Sequence, residues 1–303
     1  MRLTRWQRWL ALALVCCWVT IGAIACGGDP ANPPLRVASK DFAEQFILGE
    51  LYAQTLENAG IPVERKLNLG GTPVAQAGLL AGEIDLYPEY TGTGLLTVLK
   101  LPAEGDRQQV YQTVAQAYQE RFDLRWLAPS PMSNSNALVT TPEIAERLGI
   151  RTITDLVKTA VNVDVIGTPE FQIREDGIPG LRKVYGEFEF KSYKAVDPGL
   201  RYPALTSSNA DVALGFTTDG EISALGLIVL EDNLQFFPPY QVAPVVRPEA
   251  IARYPEIVEL LDNVTVKLTD AKMQAMNFAV TGDKQEPAAV ARDFLEREGL
   301  LAE

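Results

Sequence analysis

Tyrosines, hydroxyl groups and glycines are concentrated in residues 82–94, which read GEIDLYPEYTGTG. The segment includes an apolar run at residues 84–87 with the composition of a short buried strand. A loop of this kind offers an aromatic ring face with polar groups beside it, which suits a small-molecule site. A tyrosine that packs over a turn explains the same residues equally well.

A lysine occupies a second position where chemistry is expected. Lys40 lies in SKDFAEQ, where a first strand at residues 35–38 ends and a helix at residues 44–58 begins. In open α/β sheets, ligands bind at this end of the strands. A lysine there would meet an incoming anion, although a solvated surface charge accounts for the same residue.

The chain contains no histidine. Ser-His-Asp and Cys-His catalysis, histidine metal sites and histidine pH switches are therefore excluded. The only cysteines are Cys16, Cys17 and Cys26, so the residues after Cys26 cannot form an internal disulfide. We expect no enzymatic activity, no cofactor and no metal site.

Residues 1–25 are typical of a secretory signal peptide. Three arginines precede an uncharged apolar run at residues 9–25, which ends in Ala-Ile-Ala before Cys26. The end of the run resembles a bacterial lipobox, with Ala23 where leucine is preferred, so we expect cleavage before Cys26 and lipidation of this cysteine. Cleavage without lipidation and an uncleaved anchor helix are the alternatives. Each of them places the domain outside the cytoplasm, in the periplasm or at the outer face of the plasma membrane.

The domain after this segment is strongly acidic. The full sequence has a net charge of −12, and removing the three arginines of residues 1–25 brings it to −15. Such a surface repels nucleic acid and anionic lipid. Residues 26–34 are rich in glycine and proline and would form a lipidated tether of about 25 Å if extended.

Short apolar runs alternate with helical patterns after the tether, which predicts an α/β fold with parallel strands joined by crossover helices. At about 270 residues, a single core divides into two lobes. The second helix is predicted to begin after Thr72 as N-cap, with Val74, Ala77, Gly78 and Ala81 on one face. We expect strands at residues 35–38, 63–69, 84–87, 124–127, 137–140, 212–215 and 228–230, and further helices at residues 44–58, 106–121, from 255, and 287–298.

Six segments, in this order, resemble the glycine betaine/choline/proline betaine substrate-binding family of osmoprotectant ABC importers. They are SKDFAEQFILGE, LNLGGTPV, GEIDLYPEYTGTG, IREDGIPGL, TTDGEI and FFPPYQVAPVV. The resemblance implies a two-lobed, type II-like periplasmic-binding-protein fold in which the second lobe is inserted in the first. Lobe one would be residues 35–136 plus 241–303 and lobe two residues 137–240, with hinge crossings near residues 136–141 and 240–246.

The chemistry of this family explains its aromatic residues. A quaternary ammonium has no N–H to donate, so aromatic ring faces hold it, each contributing on the order of 0.5 to 2 kcal/mol. By the resemblance, Tyr90 and Tyr240 are cage tyrosines, while Lys40, Thr93 and Arg174 hold the ligand carboxylate.

Two of these residues also have simpler explanations. The ring of Tyr240 could pack between Pro239 and the hinge. Arg174 could form a surface ion pair with Glu175 or Asp176.

Two further candidate site residues depart from the family pattern. Asn136 stands where the pattern has a tyrosine, and Phe216 keeps a ring but lacks the hydroxyl. Losing one cage wall should weaken capture of a bare trimethylammonium by roughly one ring's contribution. The choice among glycine betaine, choline, proline betaine, carnitine, ergothioneine and a non-betaine amino acid therefore stays open.

The resemblance implies a monomeric extracytoplasmic protein that captures a betaine-like osmoprotectant. Its partners would be an ABC permease and, through it, a cytoplasmic ATPase, with a lipid anchor in the membrane and no nucleic acid. The alternatives are a binding protein for a different betaine or amino-acid-like solute, a sensory or adaptor protein, and a hydrolase that uses Asp85 and Glu89.

Overall fold

A computed structural model describes residues 33–102, 106–196 and 198–301. The strands of this part of the chain form two sheets of five strands each. They are β1 (Leu35–Ala38), β2 (Val63–Lys66), β3 (Leu86–Tyr90), β4 (Arg125–Trp126), β5 (Asn136–Thr140), β6 (Asp164–Gly167), β7 (Ser192–Ala195), β8 (Val212–Phe216), β9 (Ile228–Val229) and β10 (Val242–Val246).

The two sheets have the same arrangement of strand directions. The first has the order β2-β1-β3-β10-β4 and the second β7-β6-β8-β5-β9. In each sheet, three neighbouring strands are parallel and the next strand, β10 or β5, runs antiparallel to its neighbours on both sides. The α/β class is confirmed, whereas the expectation of parallel strands holds for only part of each sheet.

Helices connect these strands and cover the sheets. They are α1 (Ala43–Asn58), α2 (Thr72–Ala81), α3 (Arg107–Phe122), α4 (Pro142–Leu148), α5 (Ile153–Thr159), α6 (Ile178–Tyr185), α7 (Arg201–Thr206), α8 (Gly220–Ala224), α9 (Pro248–Arg253), α10 (Ile257–Thr265), α11 (Asp270–Thr281) and α12 (Pro287–Arg297). Single turns lie at Thr91–Thr93, Gly94–Val98, Ala160–Asn162, Glu170–Gln172 and Pro198–Leu200. Of the described helices, none is both long and apolar enough to cross a membrane.

Each sheet is enclosed by its own apolar clusters. Side chains of β1, β3 and β10 pack with those of α1, α10 and α11 on one face of the first sheet. On the other face, Ala243 and Val245 pack with residues of α2 and α3. The second sheet is enclosed in the same way by two further clusters. Burial on both faces explains why β10, with the sequence VAPVV, is apolar throughout.

Helix α11 follows the last strand of the first sheet but contacts the segment after β8 of the second. A Cβ added at Gly220 would lie 2.4 Å from the backbone nitrogen of Phe278, so only glycine permits this approach. Two side chains of α11 donate to backbone oxygens there: Gln274 to Thr217 at 2.7 Å, and Asn277 to Thr218 at 2.8 Å.

Several sequence-based expectations are corrected by the structure. Gly71, not Thr72, is the N-cap of α2. Of the four residues predicted to share one face of α2, Gly78 is buried but Val74, Ala77 and Ala81 are exposed. The helix packs against the sheet through Ala75 and Leu79 instead. The spacing of apolar residues did not identify the buried face, because most residues of this helix are small or apolar. The third strand begins at Leu86 rather than residue 84 and continues to Tyr90.

Two strands were not predicted from the sequence, and two predictions concern residues that the structure does not describe. Strands β6 and β7 were missed, and the helix expected from Pro255 begins at Ile257. The predicted signal peptide and the predicted lipidation of Cys26 lie outside the described residues.

Candidate ligand-binding site

Lys40 is held at the end of the first sheet by its neighbour Gln45. The backbone N–H of Lys40 donates to Oε1 of Gln45 at 3.0 Å, and Nε2 of Gln45 donates to the carbonyl of Pro88 at 3.0 Å. Pro88 lies opposite Pro244 in the pairing of β3 with β10. The pairing of β1 with β3 consists of the single pair Val37 and Leu86. Beyond it, the Gln45 side chain connects the backbone after β1 to that of β3 through its two hydrogen bonds.

The ammonium of Lys40 is buried and already has an anionic partner. Its Nζ lies 2.6 Å from Oε1 of Glu89, and both side chains are at most 5% exposed. The same Nζ lies 4.6 Å from the centroid of the Tyr90 ring and 5.8 Å from that of Phe42. Lys40 therefore lies beside an aromatic pair, where a ligand carboxylate would have to share its ammonium with Glu89.

Tyr90 ends β3 and is almost fully buried. Its hydroxyl donates to Oε1 of Glu44 at 2.7 Å, and its ring stacks on Phe42 with centroids 6.3 Å apart. Burial, followed by the negative charge of Glu44, holds the pKa of the Tyr90 phenol well above its ordinary value. The hydroxyl is thus kept protonated and directed at the carboxylate.

Glu44 is a buried carboxylate that collects three neutral donors. Besides Tyr90, Nδ2 of Asn134 donates to Oε1 at 2.7 Å and Nδ2 of Asn277 donates to Oε2 at 2.8 Å. Burial raises the pKa of Glu44, while these hydrogen bonds oppose the shift. Glu44 therefore joins the first turn of α1, the chain between the two sheets and helix α11.

Tyr240 lies on the segment that returns to the first sheet before β10. Its ring rests on Gly92, where an added Cβ would lie 2.7 Å from Cδ1 and Cε1 of the ring. Its hydroxyl donates to Oδ2 of Asp176 at 2.9 Å. Burial, followed by the charge of Asp176, raises the pKa of Tyr240. Tyr240 is therefore held by packing on Gly92 at its ring and by a hydrogen bond to Asp176 at its hydroxyl.

Arg174 is bound to a carboxylate of its own loop. Its Nε donates to Oδ1 of Asp176 at 2.6 Å and its Nη2 donates to Oδ2, a bidentate pair. The ion pair with Asp176, given above as the alternative for Arg174, is therefore present. Nδ2 of Asn136 donates to the backbone oxygen of Asp176 at 3.3 Å. Asp176 thus joins three of the predicted site residues: Asn136, Arg174 and Tyr240.

Phe216 lies beside Asn136 in the second sheet, because the two residues are directly paired where β8 meets β5. The guanidinium carbon of Arg201 is 5.3 Å from the centroid of the Phe216 ring. Arg201 in turn lies 3.4 Å from a carboxylate oxygen of Asp219. One face of the Phe216 ring is therefore already next to a protein cation.

Thr93 ends the single turn Thr91–Thr93 and is half-buried. The turn is fastened to the segment carrying Tyr240 through Thr91, whose hydroxyl donates to the carbonyl of Pro239 at 3.0 Å and accepts from the backbone N–H of Gln241 at 3.1 Å. Thr93 is thus brought near Tyr240, while Lys40 and Tyr90 lie together on the adjoining part of the first sheet.

The carboxylates Glu44 and Asp176 are functional candidates that the sequence analysis did not select. Glu44 stands in SKDFAEQ, as the first residue of the predicted helix, and Asp176 appeared only as an ion-pair partner of Arg174. The one feature of the sequence that could have indicated Glu44 is that it is a charged residue on an otherwise apolar helix face. Its partner Asn277 is 233 positions away in the chain, which no local pattern reveals.

A cavity of about 760 Å³ lies next to this group of residues. Of the predicted site residues, it includes only Asn136. The remaining lining comes from residues 133, 135, 137, 217, 229–232 and 234–239, with Asp106 and Arg107. Phe236, Phe237 and Asp232 give this space both apolar and acidic walls.

Asp85 and Glu89, the carboxylates of the hydrolase alternative, each have a fixed structural partner. Arg36 donates to both oxygens of Asp85, at 2.9 Å from Nε and 2.8 Å from Nη2. Glu89 accepts from Lys40 and from the backbone N–H of Tyr90, the latter at 2.7 Å. These contacts account for both carboxylates without a reaction.

The chain has close relatives among characterised proteins. It is 39% identical over 269 residues to the ergothioneine transport permease/ergothioneine binding protein EgtU of Helicobacter pylori, covering 88% of this chain and 48% of that protein. The chain thus spans about half the length of that relative. It is 36% identical over 295 residues to the glycine-betaine-binding protein of Pseudomonas aeruginosa, covering 94% of both.

Solved structures and a family model agree with these relatives. A glycine betaine/carnitine/choline ABC transporter structure superposes with a TM-score of 0.80 at 29% identity, over 88% of this chain and 100% of that one. Apo YehZ from Escherichia coli gives a TM-score of 0.74 at 30% identity, over 88% and 99%. Residues 33–297 match the OpuAC model, and the chain therefore belongs to this family, the substrate-binding domain of ABC-type glycine betaine transport systems.

Proposed function

We propose that this substrate-binding protein captures a small solute with a quaternary ammonium group at Tyr90 and Tyr240 and delivers it to an ABC permease. The observation that carries the proposal is the placement of these two tyrosines. Both lie in one apolar cluster at the paired ends of β3 and β10, and each hydroxyl is held by a carboxylate. Rings fixed in this way can present their faces to a cation.

The ligand carboxylate would be held by Lys40, Thr93 and Arg174. Both cations are already paired with protein carboxylates, Lys40 with Glu89 and Arg174 with Asp176. Of the two, Arg174 is the more accessible to a ligand, since its side chain is half-exposed whereas that of Lys40 is only 5% exposed. If Arg174 turned to the ligand, Asp176 would still accept a hydrogen bond from Tyr240. We therefore assign the ligand carboxylate chiefly to Arg174.

Capture would be coupled to closure of two lobes, residues 35–136 plus 241–303 and residues 137–240. The separate sheets support this division, since the first uses only strands before residue 127 and β10, while the second starts at Asn136. A ligand that touches Tyr90 in one lobe and Arg174 or Phe216 in the other favours the closed form by differential binding. The closed form would then dock on the permease, which works with a cytoplasmic ATPase.

The identity of the solute is a proposal at the level of chemical class. The names of the relatives include ergothioneine, glycine betaine and carnitine, all of which carry a quaternary ammonium. Asn136 and Phe216 replace tyrosines of the family pattern, which favours a ligand offering a hydrogen-bonding group beside Asn136 over a bare trimethylammonium. An amino-acid-like solute is the principal alternative, and no particular feature favours a sensory, adaptor or hydrolytic role.

The cellular setting follows from the same proposal. The domain would work outside the cytoplasm as a monomer without catalytic activity, tethered through lipidated Cys26. Metabolic labelling with a lipid precursor would test the anchor, because labelling of wild type and not of Cys26→Ser is expected. Labelling of both proteins would exclude attachment at this cysteine.

Calorimetric titration tests the binding function. The purified protein is titrated with glycine betaine, choline, proline betaine, carnitine, ergothioneine and, as amino-acid controls, proline and histidine. Saturable binding of at least one quaternary ammonium compound, lost in Tyr90→Ala and Tyr240→Ala, is the expected result. Binding of only the free amino acids would refute the proposed ligand class.

A further inference from the structure

The charges around the two tyrosines do not balance. Lys40 is paired with Glu89 and Arg174 with Asp176, and a third cation, Arg201, is paired with Asp219 beside Phe216. Glu44 stands outside these pairs. Within the described ranges, no lysine or arginine forms an ion pair with it, and its hydrogen-bond donors are neutral.

An unbalanced carboxylate is costly at this position. Glu44 is only 3% exposed, and a buried charge without a counter-ion is destabilising. Hydrogen bonds from Tyr90, Asn134 and Asn277 compensate part of that cost, but they bring no positive charge. Buried carboxylates usually pair with a cation or lose their charge. Glu44 accepts from the hydroxyl of Tyr90 and has no cationic partner among the described residues, which points to a cation that arrives from outside.

We propose that Glu44 is a specificity-determining residue, which selects a cationic head group at the ring of Tyr90 over a neutral group of the same shape. This inference rests on the proposed function, because it takes Tyr90 as part of the ligand site. Glu44 acts through the phenol: a hydroxyl that donates to a carboxylate leaves its ring more electron-rich, and the charge itself acts across the ring.

The size of the effect follows from the distances. With the hydroxyl 2.7 Å from Oε1 of Glu44, a cation over the Tyr90 ring would be about 7 Å from the carboxylate. Two unit charges at that separation, at an effective dielectric near 20, change a dissociation constant by roughly ten- to fifty-fold. Lys40 lies by the same ring but is neutralised by Glu89 at 2.6 Å, so it does not cancel the field of Glu44.

Glu44→Gln keeps the size and a hydrogen-bond acceptor while removing the charge. Wild type and variant are titrated with glycine betaine and with 3,3-dimethylbutanoate, in which carbon replaces the ammonium nitrogen. We expect the preference of wild type for glycine betaine to fall roughly ten-fold or more in Glu44→Gln, mainly through weaker betaine binding. Glu50→Gln is the matched control, because it removes a buried carboxylate of the same helix that is instead paired with Arg65; its preference should equal that of wild type.

A pH series on wild type provides a second measurement if Glu44→Gln does not fold. Burial raises the pKa of Glu44 above its ordinary 4.5, so protonation as the pH falls through that raised value should weaken glycine betaine binding. The groups that oppose this shift at Glu44 are all neutral, and they come from four segments packed around it: Thr218, Tyr90, Asn277 and Asn134. Lys40 and Glu89, which lie beside the Tyr90 ring, are paired with each other.

The outcomes of these measurements separate the two proposals. An unchanged preference in folded Glu44→Gln, or pH-independent betaine binding by wild type down to pH 4.5, would overturn the role of Glu44 alone. If wild type binds neither glycine betaine nor any other quaternary ammonium compound, the proposed function fails, and the inference fails with it.

Discussion

Replacing Gly92 with alanine should displace the ring of Tyr240. The added Cβ would lie 2.7 Å from two carbon atoms of the ring, so the ring has to move by about 1 Å to regain ordinary carbon–carbon contact. The hydroxyl cannot follow freely, since it is bound to Asp176 at 2.9 Å. Both the packing of the ring and this hydrogen bond are therefore disturbed.

The cost can be estimated from these two contributions. Overpacking of a buried site costs about 1–3 kcal/mol, and a weakened hydrogen bond adds on the order of 1 kcal/mol. For a protein of this size, each kcal/mol lowers Tm by roughly 2–4 °C. We expect Gly92→Ala to unfold roughly 4–16 °C below wild type and to bind its ligand more weakly.

Thermal unfolding and calorimetric titration check this prediction together. Gly78→Ala is the control, because its added Cβ would lie 3.8 Å from Ile84, in ordinary contact, and alanine favours a helix interior by about 1 kcal/mol. Gly78→Ala should match or exceed the Tm of wild type. If Gly92→Ala behaves like Gly78→Ala in both stability and affinity, the described contact between Gly92 and Tyr240 is refuted.

Three other substitutions test separate parts of the molecule. Lys40→Met leaves Glu89 buried without its cation and should cost about 3–5 kcal/mol in urea unfolding, most of it recovered in Lys40→Met/Glu89→Gln; equal stability of the single and double variants would contradict this. Asn136→Tyr adds a ring and should tighten glycine betaine binding by about 0.5–2 kcal/mol in calorimetry, whereas an unaltered affinity would exclude position 136 from the cage. Gly220→Ala would place a Cβ 2.4 Å from the backbone of Phe278 and should destabilise the protein by about 1–3 kcal/mol in urea unfolding, while a stability equal to wild type would rule out that close packing.

Local sequence patterns were sufficient to predict many of the helices and strands. The helix expected at residues 106–121 is found at Arg107–Phe122, where Asp106 caps it in a capping box with Gln109. Strand β7, Ser192–Ala195, was harder to find, since it reads SYKA and lies at a sheet edge with little burial. An edge strand has only one neighbour and does not need the apolar pattern that identifies a central strand.

The candidate site could be predicted only in part. Tyr90, Tyr240 and Arg174 are predicted site residues because each lies in one of the six motifs that carry the family resemblance. The partners of those residues depend on how distant segments meet. Asp176 is 64 positions from Tyr240, and Glu44 is 90 positions from Asn134, so the carboxylates that accept from the two tyrosine hydroxyls are evident only from the fold.

A crystal structure of the protein with its tightest-binding quaternary ammonium ligand tests the central claim most directly. We expect the ammonium nitrogen within about 6 Å of the ring centroids of Tyr90 and Tyr240. We also expect the guanidinium of Arg174 to contact the ligand carboxylate, if the ligand has one. A ligand bound instead in the 760 Å³ cavity beside Asp232 and Phe236, with both tyrosine rings untouched, would contradict that claim.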